Sequence, residues 1–287
     1  FNLSLCTGVF HSDWKLAKVT PIYKGEGGKD DPNNYRPISV VCTISKILET
    51  FVKKQIVDYF INHNIFTDSQ YAYLRNHSTQ TALHDFYDEC LYNVNKVEMS
   101  VMCALDLSKG FDTLNHKILL YKLERYGLDK DSLVWFRSYL EDRRQIIKID
   151  QKSSDEQLVN IGVPQGSCLG PILFLIYVND FSEAVSISSV VMYADDTTLI
   201  SNGKNINELN CKINTSLNEA AQWYNKNKLI VNCGKSKVMC IGTAQRLRRS
   251  DTNIDAYINN EHINNYTLIK LLGCLLYTSP SPRDVEE

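Results

Sequence analysis

Apolar and polar positions change period several times along the chain, and each change marks an element. Over residues 44–62, Ile44, Ile47, Leu48, Phe51, Val52, Ile56, Tyr59 and Phe60 recur at three- and four-residue spacing. That predicts an amphipathic helix with Thr43 as its N-cap. A second helix is expected over 81–95. Val101, Met102, Cys103, Ala104 and Leu105 form an unbroken apolar run ending in Asp106, the pattern of a buried strand with an acid at its end. Asp112 or Thr113 then caps a helix running to Tyr126 and closed by Gly127. A shorter helix covers 132–140. Residues 144–150 and 156–163 alternate around a polar turn and predict a hairpin.

The stretch GVPQGSCLGP is a Gly- and Pro-rich loop that opens a helix over 172–185, apolar on every side at its start and therefore deeply buried. Two short β-branched runs follow, before and after Tyr193-Ala194-Asp195-Asp196, and predict a hairpin tipped by two acids. At ~4 Å and an effective dielectric of ~20, two carboxylates repel by about 4 kcal/mol. Such a pair, if buried, takes up a proton or binds a cation; the dipeptide alone reads better as a solvated turn, since Asp is a common turn former. Beyond it the pattern predicts a polar amphipathic helix over 207–225. Strands follow at 229–231 and 238–241, and a last hairpin over 253–272 turns at Asn259-Asn260.

Composition narrows the picture modestly. At 287 residues, 44% apolar and 22% charged, the chain suits one or two globular domains. Its net charge of −2 offers no general attraction to nucleic acid, so such a role needs a local basic patch. Lys15, Lys18, Lys24, Lys29 and Arg36 supply one near the start. The nine cysteines contain no CxxC pair and no zinc spacing, and read as free thiols in a reducing compartment. No apolar run reaches the ~18 residues of a membrane span. A first residue of Phe rather than Met leads us to expect a piece of a longer chain.

The order of these features resembles the reverse transcriptases of non-LTR (LINE-type) retrotransposons. WKLAKVTPIYK and NYRPISV match the fingers, and LDLSKGFDTLNH the first acid. GVPQGSCLGPILFLIYVND matches the central loop and helix, and YADD the second acidic site. The resemblance runs from Trp14 to Gly273. It implies an α+β fold, a polymerase palm with an antiparallel sheet backed by helices, plus fingers, the thumb absent. Residues 1–100 would be fingers with an N-terminal extension. Residues 101–273 would be mainly palm, including fingers-side helices at 113–141. Residues 274–287 would be a non-family tail resembling translated sequencing-adapter sequence.

The resemblance also implies the chemistry. A primer 3′-oxygen attacks the α-phosphorus of a deoxynucleoside triphosphate, on an RNA template, with two Mg²⁺ ions assisting and Mn²⁺ as an alternative. Asp106, Asp195 and Asp196 would be catalytic metal ligands, joined by the carbonyl of Leu107. Lys24 and Arg36 would grip the triphosphate. Phe111 would exclude a 2′-hydroxyl, Gln165 and Gly166 would line the incoming nucleotide, and Lys235 would stand near the pyrophosphate as a general acid. Partners are then RNA template, DNA primer and deoxynucleotides, with no membrane. Nuclear action at the site of copying, after cytoplasmic synthesis, follows from the resemblance only.

Three departures from the family pattern matter. Gly110 stands where the family has Ala. Ala72 and Leu74 replace the Gly and Arg of a family Gly-Phe-Arg segment, and the sequence after Gly273 does not continue the primer-grip strand. They keep a second reading alive, a decayed or repurposed copy that binds nucleic acid without catalysis. A third reading, an RNA-templated RNA polymerase, is opposed by Phe111. A fourth takes Gly166-Ser167-Cys168-Leu169-Gly170 as a nucleophile elbow. That requires a parallel strand before the loop, where the pattern gives an antiparallel hairpin and Pro164.

Overall fold

The computed structural model describes residues 1–25, 27–249 and 252–277. Helix α1 (Asn2–Thr7) precedes strands β1 (Leu16–Tyr23) and β2 (Tyr35–Val40). Helix α2 (Thr43–Asn62) is the expected amphipathic helix, but Thr43 is its first helical residue and the N-cap is Cys42, which makes no side-chain capping bond. Leu48, Val52, Ile56 and Phe60 are buried, whereas Ile44, Ile47 and Phe51 are exposed, so the apolar stripe is wider than the face that packs. Helix α3 (Thr79–Asn95) starts two residues early because Ser78 and Thr81 form a reciprocal capping box. Strand β3 (Met99–Leu105) is almost wholly buried.

The single helix expected over 112–126 is two. Helix α4 (Gly110–Thr113) makes one turn, and α5 (His116–Arg125) is capped by Asn115, whose side-chain Oδ1 accepts from the N–H groups of Lys117 and Ile118. Helix α6 (Lys130–Leu140) follows, then strands β4 (Arg143–Ile149), β5 (Lys152–Ser153) and β6 (Gln157–Val159). Helix α7 (Gly170–Val178) stops seven residues short of 185, and α8 (Phe181–Ala184) is separate. The break falls at Asn179, whose side-chain carbonyl accepts from the remote Thr67 N–H at 3.0 Å.

The acid-tipped hairpin is β7 (Ser189–Tyr193) and β8 (Asp196–Gly203), followed by α9 (Ile206–Lys226), β9 (Lys237–Ile241) and α10 (Ala244–Arg249). Residues 229–231 do not form the expected strand; Val231 makes only an isolated bridge with Leu107. The last hairpin is shorter than predicted. Strands β10 (Ala256–Ile258) and β11 (Glu261–Asn265) turn at Asn259 and Asn260, with φ of 50° and 66°, values Asn tolerates. Strand β12 (Leu268–Leu271) pairs forward with β13 (Cys274–Tyr277) instead. Of the expected non-family tail, residues 278–287 lie outside the described residues.

The chain divides into two compact units: Phe1–Phe66 with Lys109–Val178, and Thr67–Ser108 with Asn179 onward. In the first, the described strands run in the order β2-β1-β4-β5, with β6 on β4, and β1 lies parallel to β4. Every residue of α7 from Ile172 to Val178 is buried, and α5 packs against α7 and α6. In the second, the order is β10-β11-β9-β3-β8-β7, antiparallel except between β9 and β11. Met102, Val191, Ile200 and Met239 form one face of this sheet with Phe86 and Cys90 of α3. Strand alternation turns Val101, Cys103 and Leu199 to the other face, where α9 packs on β8 and β3. The expected α+β fold, an antiparallel sheet backed by helices, is therefore present.

Candidate active site

Tyr193 pairs with Asp196, so Ala194 and Asp195 form a two-residue tip. Ala194 sits at φ 58°, a left-handed conformation that costs roughly 1–2 kcal/mol for a residue with a Cβ. Residues 69–71 run parallel to the outer edge of β7 and support the tip. The Met192 N–H donates to Ser69 O at 2.8 Å and the Tyr71 N–H to Met192 O at 2.9 Å. Gln70 Oε1 accepts from the Ala194 N–H at 3.1 Å.

Asp106 reaches the same place from β3. Leu105, the last residue of β3, pairs with Thr197, so Asp106 just beyond it continues the register toward Asp196, with strands ~4.8 Å apart. The Asp106 N–H donates to Ser236 Oγ at 3.2 Å, and its carbonyl accepts from the Asn232 N–H at 2.8 Å. The Ser108 N–H donates to Ile230 O at 2.8 Å. These bonds flank Leu107 on the side of residues 230–232, so the pleat directs the Leu107 carbonyl to the opposite edge, that of β8. Lys235 is exposed on the turn beside them, its N–H donating to Asn232 O at 3.1 Å.

The three acids share one field. Burial pushes the Asp195 carboxyl up against a backbone hydrogen bond, and Asp106 adds to the rise. Asp196 keeps solvent contact, yet partial burial first, then Asp195 and Asp106, push it up to about 6. Among the described residues no set of three His, Cys, Asp or Glu is gathered into an ion cage of its own. The donors are nonetheless hard oxygens whose charge is raised in energy where they stand. Mg²⁺ is commonly held by one or two carboxylates with substrate phosphates and water completing its shell, so the residues fit that ion.

The remaining predicted residues lie in the first unit. Gly166 has φ 129°, and a Cβ there would stand 2.3 Å from Ser39 O on β2. The Ser39 N–H donates to Gln165 O at 2.7 Å. Gln165 Nε2 donates to Asp112 Oδ1 at 2.9 Å, and the neighbouring Phe111 ring stacks on Phe174 at 4.5 Å. Arg36 lies opposite Ile22, which puts it on the same pleated face as Lys24, two residues further on. Lys24 Nζ donates to Asn33 O at 2.6 Å.

A family model described as reverse transcriptase (RNA-dependent DNA polymerase) matches residues 24–276. The chain belongs to the reverse transcriptase family. Relatives of this reverse transcriptase chain are polymerases of mobile elements, and the kinship with non-LTR retrotransposons read from the sequence holds. The probable RNA-directed DNA polymerase from transposon X-element of Drosophila melanogaster is 28% identical over 280 residues, 96% of this chain and 30% of the relative. The RNA-directed DNA polymerase from mobile element jockey of the same species is 26% identical over 283 residues, again 96% and 30%. The chain thus spans under a third of the length of these curated relatives. In fold it resembles the telomerase of Candida albicans solved with a fragment of telomeric RNA, with TM-score 0.59, 13% identity, and coverage of 92% of this chain and 45% of that one.

Sequence reasoning missed the groups that hold the reverse transcriptase motifs in place. Gln70, Asn232 and Ser236 brace the acids; Ser39, Glu49 and Asp112 brace the Pro164-Gln165-Gly166 loop. Ser39 and Asp112 lie inside the NYRPISV and LDLSKGFDTLNH stretches and Gln70 lies two residues before Ala72, but no pattern in the sequence assigned any of them a bracing role. Tyr73, which takes the place of the family's Phe, is pushed up by burial and then by Asp195.

Proposed function

We propose that this chain is the RNA-directed DNA polymerase module of a non-LTR retrotransposon, extending a DNA primer on an RNA template. The observation that carries the proposal is the shared field of Asp106, Asp195 and Asp196 at the ends of adjacent strands. Asp106 and Asp195, with Asp196 and the Leu107 carbonyl, would hold the metal. Two Mg²⁺ ions, or Mn²⁺ in their stead, would lower the pKa of the primer hydroxyl and neutralise the leaving pyrophosphate. Lys24 and Arg36 bind and orient the triphosphate, Arg36 by its planar fork and Lys24 as a point charge. Phe111, fixed by its stack on Phe174, bars a 2′-hydroxyl. Gln165 and Gly166 bring backbone and amide close to the incoming base. Lys235 carries a proton toward the departing phosphate.

Fingers would comprise residues 1–100 with helices at 113–141, and palm the rest of 101–273. Such a role would have the chain made in the cytoplasm and copying at nuclear DNA. Among the described residues no helix is long and apolar enough to cross a membrane.

Primer extension on an RNA template with Asp195→Asn tests the reading. We expect the rate to fall by about 10³-fold, ~4 kcal/mol of transition-state stabilisation. Unchanged extension would refute the assignment of Asp195.

A further inference from the structure

The tip that carries Asp195 rests on a side chain outside the metal chemistry. Gln70 is 1% exposed. Among the described residues its segment makes a single parallel bridge to β7, at Met192. Past that bridge the Gln70 side chain continues the connection. Its Oε1 accepts from the Ala194 N–H at 3.1 Å and from the Ala72 N–H at 2.9 Å. One amide oxygen thus uses both lone pairs, one on each segment. Ala194 is the residue held at φ 58°, and Asp195 is the next along the chain. Among the described residues the Nε2 of the same amide is buried without a hydrogen-bond partner. A buried NH₂ left unpaired is destabilising, so the benefit of a glutamine here lies in its oxygen.

We infer that Gln70 is a positioning residue: its side-chain oxygen clasps Ala194 to Ala72 and so sets where the Asp195 carboxylate stands. The catalytic half of this inference rests on the proposal that Asp195 is a metal ligand; the clasp itself does not. Few residues could replace Gln70. Glutamate keeps the acceptor at the same reach. Methionine matches length and bulk and offers no useful acceptor. Asparagine is one methylene short of Ala194.

The test uses the whole 287-residue chain and two readouts. The first is amide hydrogen exchange at Ala194. Gln70→Met should speed it by about tenfold, the worth of one ordinary hydrogen bond. The Tyr71 and Met192 amides, bonded backbone to backbone, should change by less than about threefold. The second is primer extension. Gln70→Met should lower kcat by about tenfold or more while the KM for deoxynucleotide stays within about twofold, and Gln70→Glu should restore most of the kcat. Should the methionine variant fail to fold, Gln70→Asn takes its place with the same expected results. Equal exchange at Ala194 with and without the clasp overturns the inference. So does an unchanged kcat in a folded variant whose parent shows extension abolished by Asp195→Asn. A parent with no such extension defeats the polymerase reading, and the exchange result still decides the clasp.

Discussion

Two turns carry Asp195, Gln165 and Gly166, and they are held in opposite ways. The Ala194-Asp195 tip is two residues long and closes a ladder whose register runs unbroken from the pair of Ser189 with Ile200 to the pair of Tyr193 with Asp196. Its position follows from strand pairing, with one remote side chain, Gln70, added at the top. The loop over 162–169 has no strand register, and remote polar groups hold it at nearly every step. His116 Nε2 donates to Gly162 O at 2.7 Å, and burial pushes that imidazole down, keeping it neutral with a proton to donate. Ser39 and Asp112 take the two ends of Gln165. Glu49 Oε2 accepts from the Cys168 N–H at 2.7 Å and the Leu169 N–H at 3.3 Å. A charge can be placed by local periodicity, whereas a loop that must approach a ligand through its backbone needs partners from distant sequence.

This contrast can be broken at the loop first. Gly166→Ala would drive a Cβ to 2.3 Å from Ser39 O at a φ of 129°. The neighbour is backbone and cannot swing aside, so we expect a loss of about 3 kcal/mol in denaturant unfolding. A loss below about 1 kcal/mol would show that the loop lifts off β2 freely. A smaller effect is expected at Glu49, which has 0% exposure. Burial raises its carboxyl in spite of the Cys168 and Leu169 N–H groups, Arg143 and Ser45. The folded state then holds this proton more tightly than the unfolded chain. Stability attributable to Glu49 falls as pH climbs from its ordinary 4.5 to the folded value, and levels beyond it. Glu49→Gln should remove that decline, at a cost of about 1–2 kcal/mol for the imperfect cap. A wild-type decline retained in the variant would place its origin elsewhere.

The same contrast explains what could be read from residues alone. Val101 to Asp106 and the runs around Tyr193–Asp196 announce buried strands ending in acids, because apolar continuity and β-branching are local properties. The motif order then named the family, and the fold agrees. What stayed hidden was set by tertiary partners. Thr43 looks like a cap, but its hydroxyl has no role there and Cys42 takes the position. The run from Ile172 gives no sign of ending at Val178, since the break depends on Asn179 meeting Thr67, over a hundred positions earlier. Residues 229–231 have strand composition, yet among the described residues they pair only as an isolated bridge of Val231 with Leu107. Ile44, Ile47 and Phe51 extend an apolar stripe that packing does not use. Glu49 reads as one more solvated helix acid until the loop it caps is in place.

The smallest expected effect is at the tip, and it sharpens the difference between the turns. Asp196 is raised to about 6 from an ordinary 3.8, by partial burial, Asp195 and Asp106. Between these values the folded state binds a proton that the unfolded chain does not, so wild-type stability should rise as pH is lowered through that interval. Asp196→Asn carries no charge at any pH. In metal-free buffer it should melt above wild type at pH ~7.5, with a margin that narrows as pH drops and closes near the unfolded carboxylate value. The margin should be small because Asp196 reaches solvent and its repulsions are screened. Added Mg²⁺ should reverse the order, since an ion that binds only the folded acids stabilises wild type by mass action and the variant less. A margin that widens toward low pH, or a Mg²⁺ response identical in both proteins, would mean that the tip's carboxylates are ordinary turn residues. The observed pairing of β3, β7 and β8 would then have brought three acids together for no electrostatic purpose.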